Sequence, residues 1–210
     1  MDLAALLDAT ERAADEGADV IVYPYVPWLT GQPLLDPFFA SLEQRVPDIK
    51  WVRPGWRSSG DSIAARSTAL GSTVLLEGDD CIDPAHFPLL RELGCDALVW
   101  LFDAEDDLQA EALLELALEA SVTMVPLVVI ASLAGDARGI SQHGASAIVH
   151  AGEILAEADA EDEIVMADVP RDTPPLAHGR ALPEPAPVLA QRVAAHRHTK
   201  VKVDYPADLS

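Results

Sequence analysis

Residues 71–101, GSTVLLEGDDCIDPAHFPLLRELGCDALVWL, form the stretch that decides the fold. The aliphatic and β-branched run at 73–76 predicts a strand, and 97–102 predicts another one. Between the two strands, a helix is predicted to follow Pro84 and to extend to Leu93. A strand, a helix and a second strand in this order are typical of an α/β domain.

Helices and strands continue to alternate on both sides of this stretch. The predicted helices begin at Asp2, Asp36 and Asp106, and a short one spans 188–195. The other predicted strands span 20–23, 49–52, 62–69, 123–130 and 164–166, together with a hairpin around Gly152. This pattern predicts an α/β fold in which two sheets lie between layers of helices.

The composition changes at Pro170, after a predicted domain of residues 1–169. Prolines at 170, 174, 175, 183, 185 and 187 predict an extended tail over 170–210. The tail contains the only basic island of the chain, residues 196–203, and the alternation of its side chains predicts a strand.

Two stretches resemble the carbon–nitrogen hydrolase (nitrilase) superfamily. Residues 17–31, GADVIVYPYVPWLTG, resemble the strand that leads to the general-base Glu of that family. Residues 71–101 resemble its nucleophile strand, with Asp80 and Pro84 at the offsets at which the family has an acidic residue and a proline. Residues 144–158 resemble its late hairpin. The resemblance covers most of residues 3–170 and implies the αββα sandwich of that family.

The same alignment implies that the reactive positions have been replaced. Tyr25 stands where the family has its Glu, and Gly78 stands where it has its nucleophilic Cys. The family Lys lies on a strand pair for which the chain between these positions is too short, so that Lys50 is only a weak candidate. The family strand before the first helix also lacks a counterpart.

Loss of these groups predicts loss of the family reaction. Amide hydrolysis by this route needs a thiolate, a base and a donor to the oxyanion. Gly78 has no side chain, and a tyrosine with an ordinary pKa of about 10 is a poor base at neutral pH.

Cys81 offers an alternative nucleophile. The tripeptide Cys81-Ile82-Asp83 repeats the family spacing three residues late, and Glu77 or Asp83 would then serve as its acidic partner. A structural cysteine near the end of a strand is the simpler interpretation. The nearby acidic residues lack the spacing of a calcium loop, so no metal site and no cofactor is predicted.

Four other residues are candidates for binding a small ligand: Tyr25, Trp28, Trp100 and Arg138. The aromatic members could stack on a ligand or simply fill the space of a vacated site. The sequence leaves these two interpretations open.

Composition restricts the partners and the compartment. A formal net charge of −21 repels nucleic acid and anionic membranes, so we expect neither as a partner. The sequence has no apolar run long enough for a membrane span and no pattern of a secretory signal. Two cysteines, Cys81 and Cys95, are typical of a reducing compartment, and we expect a cytoplasmic protein. Whether the two cysteines form a disulfide stays open.

These features predict a catalytically inactive nitrilase-like protein that acts as a structural or regulatory subunit of an oligomer. The partner is a second copy or an active paralogue, contacted through the basic strand Thr199, Lys200, Val201, Lys202 and Val203. The alternatives are a binding module for small amides, amines or carboxylates, and an amide hydrolase that uses Cys81.

Overall fold

The computed structural model describes residues 3–24, 35–52, 63–132, 134–137, 140–158, 164–170, 172, 175–177 and 179–200. The helices are α1 (Leu3–Asp15), α2 (Leu35–Arg45), α3 (Phe87–Leu93), α4 (Asp107–Thr123) and α5 (Pro187–Lys200). The strands are β1 (Val20–Val22), β2 (Lys50–Val52), β3 (Arg66–Thr68), β4 (Gly71–Glu77), β5 (Ala97–Leu101), β6 (Leu127–Ala131), β7 (Ala134–Ala137), β8 (Ile140–His143), β9 (Ala147–His150) and β10 (Glu153–Glu157). A short 3-10 segment, Gly78–Cys81, follows β4 and is called the elbow turn below.

Six of the strands form one sheet in the order β10-β9-β6-β5-β4-β3. Its centre is parallel, since β4 pairs with β5 and β5 pairs with β6 in that sense. The predicted hairpin around Gly152 forms one edge, because β10 is antiparallel to β9, and β3, which is antiparallel to β4, forms the other edge. The carboxyl ends of β4, β5 and β6 therefore lie at the same edge of the sheet.

A second sheet consists of the parallel strands β1 and β2. Its residues Val20, Val22 and Val52 pack against Val99 and Leu101 of β5. Side chains on a strand alternate between its two faces, and every residue of β5 is buried. Leu98 and Trp100, on the opposite face, therefore pack in the core cluster formed with α3, α4 and α5.

Helices α1 and α2 cover the outer face of the second sheet. Tyr23, Phe39 and Leu42 form the centre of this small core. The rings of Tyr23 and Phe39 meet edge to face at 5.1 Å, and the hydroxyl oxygens of Thr10 and Tyr23 are 2.7 Å apart. Helices, sheet, sheet and helices thus follow one another, which confirms the predicted αββα sandwich.

Helix α4 ends later than predicted, so the strand after it begins later. The prediction of a strand over 123–130 was wrong at its start, because Thr123 ends α4 and β6 begins at Leu127. The hydroxyls of Ser121 and Thr123 donate to the carbonyls of Leu118 and Glu119. These bonds let polar and β-branched residues continue the last turn of the helix.

The strand predicted over 164–166 is also wrong, since these residues have no regular structure. They are half-buried, and the following Val169 packs in the layer between the sheets. The apolar character of this segment reflects burial of side chains without strand pairing.

The tail differs most from its prediction. Helix α5 continues to Lys200, so Thr199 and Lys200 are helical and do not start a strand. The strand was predicted because the side chains of the basic island alternate. The residues before it, from Leu189 to Ala195, are mostly good helix formers, and the helix that they form continues into the island. Val201, Lys202 and Val203 lie outside the described residues.

Two further expectations can be compared with the described part of the chain. Cys81 and Cys95 are both buried and carry free thiols, so the open question of a disulfide is answered. None of the described helices is long and apolar enough to cross a membrane.

The layer between the sheets gives a test of the fold. Replacing the fully buried Leu101 with alanine should lower the free energy of unfolding by about 2–5 kcal/mol, because the lost contacts leave a cavity. Leu108, which is 60% exposed, is the matched control, and its replacement should change stability by about 0.5 kcal/mol or less. Urea unfolding of both variants measures the difference, and equal losses would contradict the packing of the two sheets.

Candidate functional site

The chain changes direction sharply at Gly78, immediately after β4. Glu77 is the last paired residue of the strand, opposite Leu101, and Gly78 has a φ of +59°. That left-handed conformation is strained for residues with a side chain. A Cβ built at Gly78 would have no heavy atom within 4 Å beyond its chain neighbours. The position to which the resemblance assigns a nucleophile therefore lies in a strand-to-turn elbow with open space around it.

Cys81 closes the elbow turn and points into the core. It is 0% exposed and belongs to the cluster between the six-stranded sheet and its helices. Its thiol donates weakly to the carbonyl of Leu101 at 3.9 Å. Burial, and secondarily the negative charge of Asp80, raise the pKa of this thiol well above its usual value. Because the thiolate is the reactive form, Cys81 is a poor nucleophile at neutral pH.

The acidic residues around the elbow have structural partners. A side-chain oxygen of Asp79 accepts from Arg192 at 2.7 Å, and Asp83 accepts from the backbone N–H of Ala85 at 2.9 Å. His86 Nδ1 lies 3.1 Å from the carbonyl oxygen of Asp80. Within the described ranges, no group of three or more His, Cys, Asp or Glu residues is arranged to hold a metal ion.

The remaining predicted site residues are dispersed or lie outside the described residues. Lys50 is exposed and begins β2, opposite Val20, which is the end of the strand pair away from Tyr23. Trp100 is fully buried in the helix-side core, and its indole N–H has no hydrogen-bond partner among the described residues. Tyr25, Trp28 and Arg138 belong to segments that the structure does not describe.

Tyr23, rather than Tyr25, is the described tyrosine at the end of β1. Burial raises its pKa to about 12, although the hydrogen bond with Thr10 acts in the opposite direction. A neutral phenol at this point contributes to the core of α1 and α2 and does not act as a base near pH 7.

Sequence reasoning missed Arg192, the residue that joins the tail to the elbow. It lies in α5, 113 positions after Asp79, and its side chain is 21% exposed. The only signal in the sequence is that Arg192 is the one arginine of the predicted helix 188–195, among mostly small and aliphatic residues. Such a pattern cannot identify a partner so far away along the chain.

Comparison with known proteins adds information at the level of structure. No protein-family model and no curated protein matches the chain. Solved structures do match. A carbon–nitrogen hydrolase from Helicobacter pylori G27 is similar with a TM-score of 0.66 and 14% identity, over 79% of this chain and 82% of that one.

Two further structures extend the likeness. One is a variant amidase from Nesterenkonia sp. AN1 with the acetamide moiety of fluoroacetamide on its active-site cysteine. Its TM-score is 0.64 and its identity 18%, over 80% of this chain and 83% of that one. The other is the glutamine-dependent NAD+ synthetase from Acinetobacter baumannii, with a TM-score of 0.58 and 14% identity, over 78% of this chain and 41% of that one.

At these identities the likenesses show the fold. The chain therefore has the fold of the carbon–nitrogen hydrolase (nitrilase) superfamily, as residues 17–31 and 71–101 predicted.

Proposed function

We propose that this protein is a catalytically silent member of the nitrilase-type fold that acts as a structural or regulatory subunit of a homo- or hetero-oligomer. The observation that carries the proposal is the elbow turn. At the position to which the resemblance assigns the nucleophile, the chain has Gly78 in a turn with a positive φ. Hydrolysis through a covalent acyl intermediate needs an attacking atom, and glycine has none.

The environment of Cys81, the alternative nucleophile, gives a second argument for the proposal. An alternative nucleophile would have to reach a bound amide and carry a negative charge. Cys81 is enclosed by core side chains, and its pKa is raised. In the similar amidase structure, by contrast, the active-site cysteine carries a covalent acetamide group, which requires access to the reagent.

Retention of the fold does not require retention of the reaction. The stabilising contacts lie in the apolar layers on both faces of β5 and beneath α1 and α2. A protein that keeps those layers keeps its outer surfaces for contact with other subunits. A subunit role is thus compatible with a site that lacks its nucleophile.

Native mass spectrometry of the protein purified from its own source tests the subunit role. We expect a defined complex with a second copy or with a second protein. A monomer under the same conditions, together with measurable amide hydrolysis by that monomer, would contradict both parts of the proposal.

The elbow itself can be tested by Gly78→Cys. The open space should admit the new side chain at a cost of about 1–2 kcal/mol for the left-handed backbone. Iodoacetamide should then modify Cys at position 78 much faster than the buried Cys81, as peptide mass spectrometry would show. Gly94→Cys is the matched control, because Gly94 also has a positive φ and open space but lies after α3.

Turnover in the same variant gives the sharper result. We expect Gly78→Cys to be alkylated without hydrolysing small amides, because Tyr25 replaces the family base. Amide hydrolysis by Gly78→Cys would show that the other groups needed for the reaction are present. The wild-type chain would then lack only the side chain of the nucleophile.

Activity of the natural thiol is the remaining test. We expect the wild type to hydrolyse amides only at the background rate, and Cys81→Ala to show the same rate. A wild-type rate above background that disappears in Cys81→Ala would establish the relocated nucleophile and overturn the proposal.

A further inference from the structure

Helix α5 lies on the elbow turn and on α4. Leu189 and Val193 of α5 are buried in the same core cluster as Cys81. The backbone N–H of Ala177 donates to the carbonyl of Val122 at the end of α4, whereas Arg192 reaches Gln109 near the start of α4. The tail therefore runs back along α4 towards the elbow.

Arg192 meets acceptors from three segments of the chain. Its Nε donates to a side-chain oxygen of Asp79 in the elbow turn at 2.7 Å. One terminal nitrogen donates to the carbonyl of Asp103 at 2.7 Å and to the side-chain oxygen of Gln109 at 2.9 Å. The same nitrogen lies 3.6 Å from a carboxylate oxygen of Glu105.

An aromatic ring completes the surroundings of the cation. The guanidinium carbon of Arg192 lies 4.4 Å from the centroid of the Phe102 ring. Phe102 is fully buried, Gln109 is 6% exposed and the Asp79 side chain is 15% exposed. The cleft thus combines the largely buried carboxylate of Asp79, two neutral oxygens and an aromatic face, with the exposed carboxylate of Glu105 at its rim.

This combination matches a guanidinium group better than an ammonium group. A guanidinium is planar and offers several N–H donors at fixed angles, so it can bind separate acceptors and stack on a ring at once. An ammonium is a compact charge with stronger hydration, which disfavours a dry cleft of this shape.

The structure assigns a guanidinium-binding site to Asp79, Phe102, Asp103 and Gln109, occupied in this chain by Arg192. Occupation of this site holds α5 over the elbow turn and keeps Cys81 enclosed. The assignment does not depend on the proposed subunit role, because it rests on contacts within one chain.

Alkylation of Cys81 by iodoacetamide, followed by peptide mass spectrometry, measures whether α5 is seated. In Arg192→Ala the rate at Cys81 should rise by about tenfold or more, since the substitution removes the hydrogen bonds that join α5 to Asp79, Asp103 and Gln109. Burial is the main cause of the raised pKa of the Cys81 thiol, so a faster reaction reports that this thiol has become accessible. Cys95, buried beyond α3, is the internal reference and should keep its rate.

Chemical rescue tests the ligand class. Methylguanidinium added to Arg192→Ala should restore the protection of Cys81, whereas the same concentration of methylammonium should not. Arg192→Lys should be labelled faster than the wild type, because it keeps the charge and loses the planar fork. Arg180→Ala, an exposed arginine of the same tail, is the control and should behave like the wild type.

Three results would overturn the assignment. If Cys81 in Arg192→Ala is alkylated at the wild-type rate, Arg192 does not hold α5. Equal increases at Cys81 and Cys95 would mean general unfolding rather than opening of the tail. Equal protection by methylammonium and methylguanidinium would mean that the cleft recognises charge alone. If Arg192→Ala does not fold, the alkylation rates of Cys81 and Cys95 in Arg192→Lys are compared with those of the wild type instead.

Discussion

Burial of β5 on both faces is the constraint on which the rest of the structure depends. A strand from Ala97 to Leu101 without an exposed side chain needs a layer on each side, and apolar burial at about 25 cal/mol per Å² supplies the driving force. Val99 and Leu101 contact the second sheet, while Leu98 and Trp100 contact the helices. Parallel pairing with β4 and β6 then brings three strand ends to one edge.

The elbow follows from that arrangement. Strand β4 must leave the sheet at the edge where β5 and β6 also end, and the helices on one face require an abrupt change of direction. Gly78 makes the change with a positive φ, and Cys81 and Ile82 then turn into the core as fully buried side chains. The elbow is therefore held by packing of the residues after it.

Local patterns in the sequence were enough for the layers and the hairpins. The aliphatic runs of β4 and β5 and the Gly152 turn have short-range signals, and the structure confirms the two strands and the hairpin. Element ends were predicted less well, since the end of α4 depends on hydroxyl bonds from Ser121 and Thr123 to the helix backbone. The contact of Arg192 with Asp79 had no local signal at all, because it joins residues far apart in sequence that only the folded core brings together.

Backbone strain links the elbow to the proposed absence of catalysis. A residue with a side chain at a φ near +60° is strained by about 1–2 kcal/mol, and proteins retain such strain mainly where function needs it. Glycine adopts the same backbone without that strain. Gly78 therefore lets the chain leave β4 at a φ of +59° without that energetic cost. The ion pair between Asp79 and Arg192 adds stability directly beside it. The turn at Gly78 thus combines a backbone without strain with attachment to the tail helix through Asp79 and Arg192.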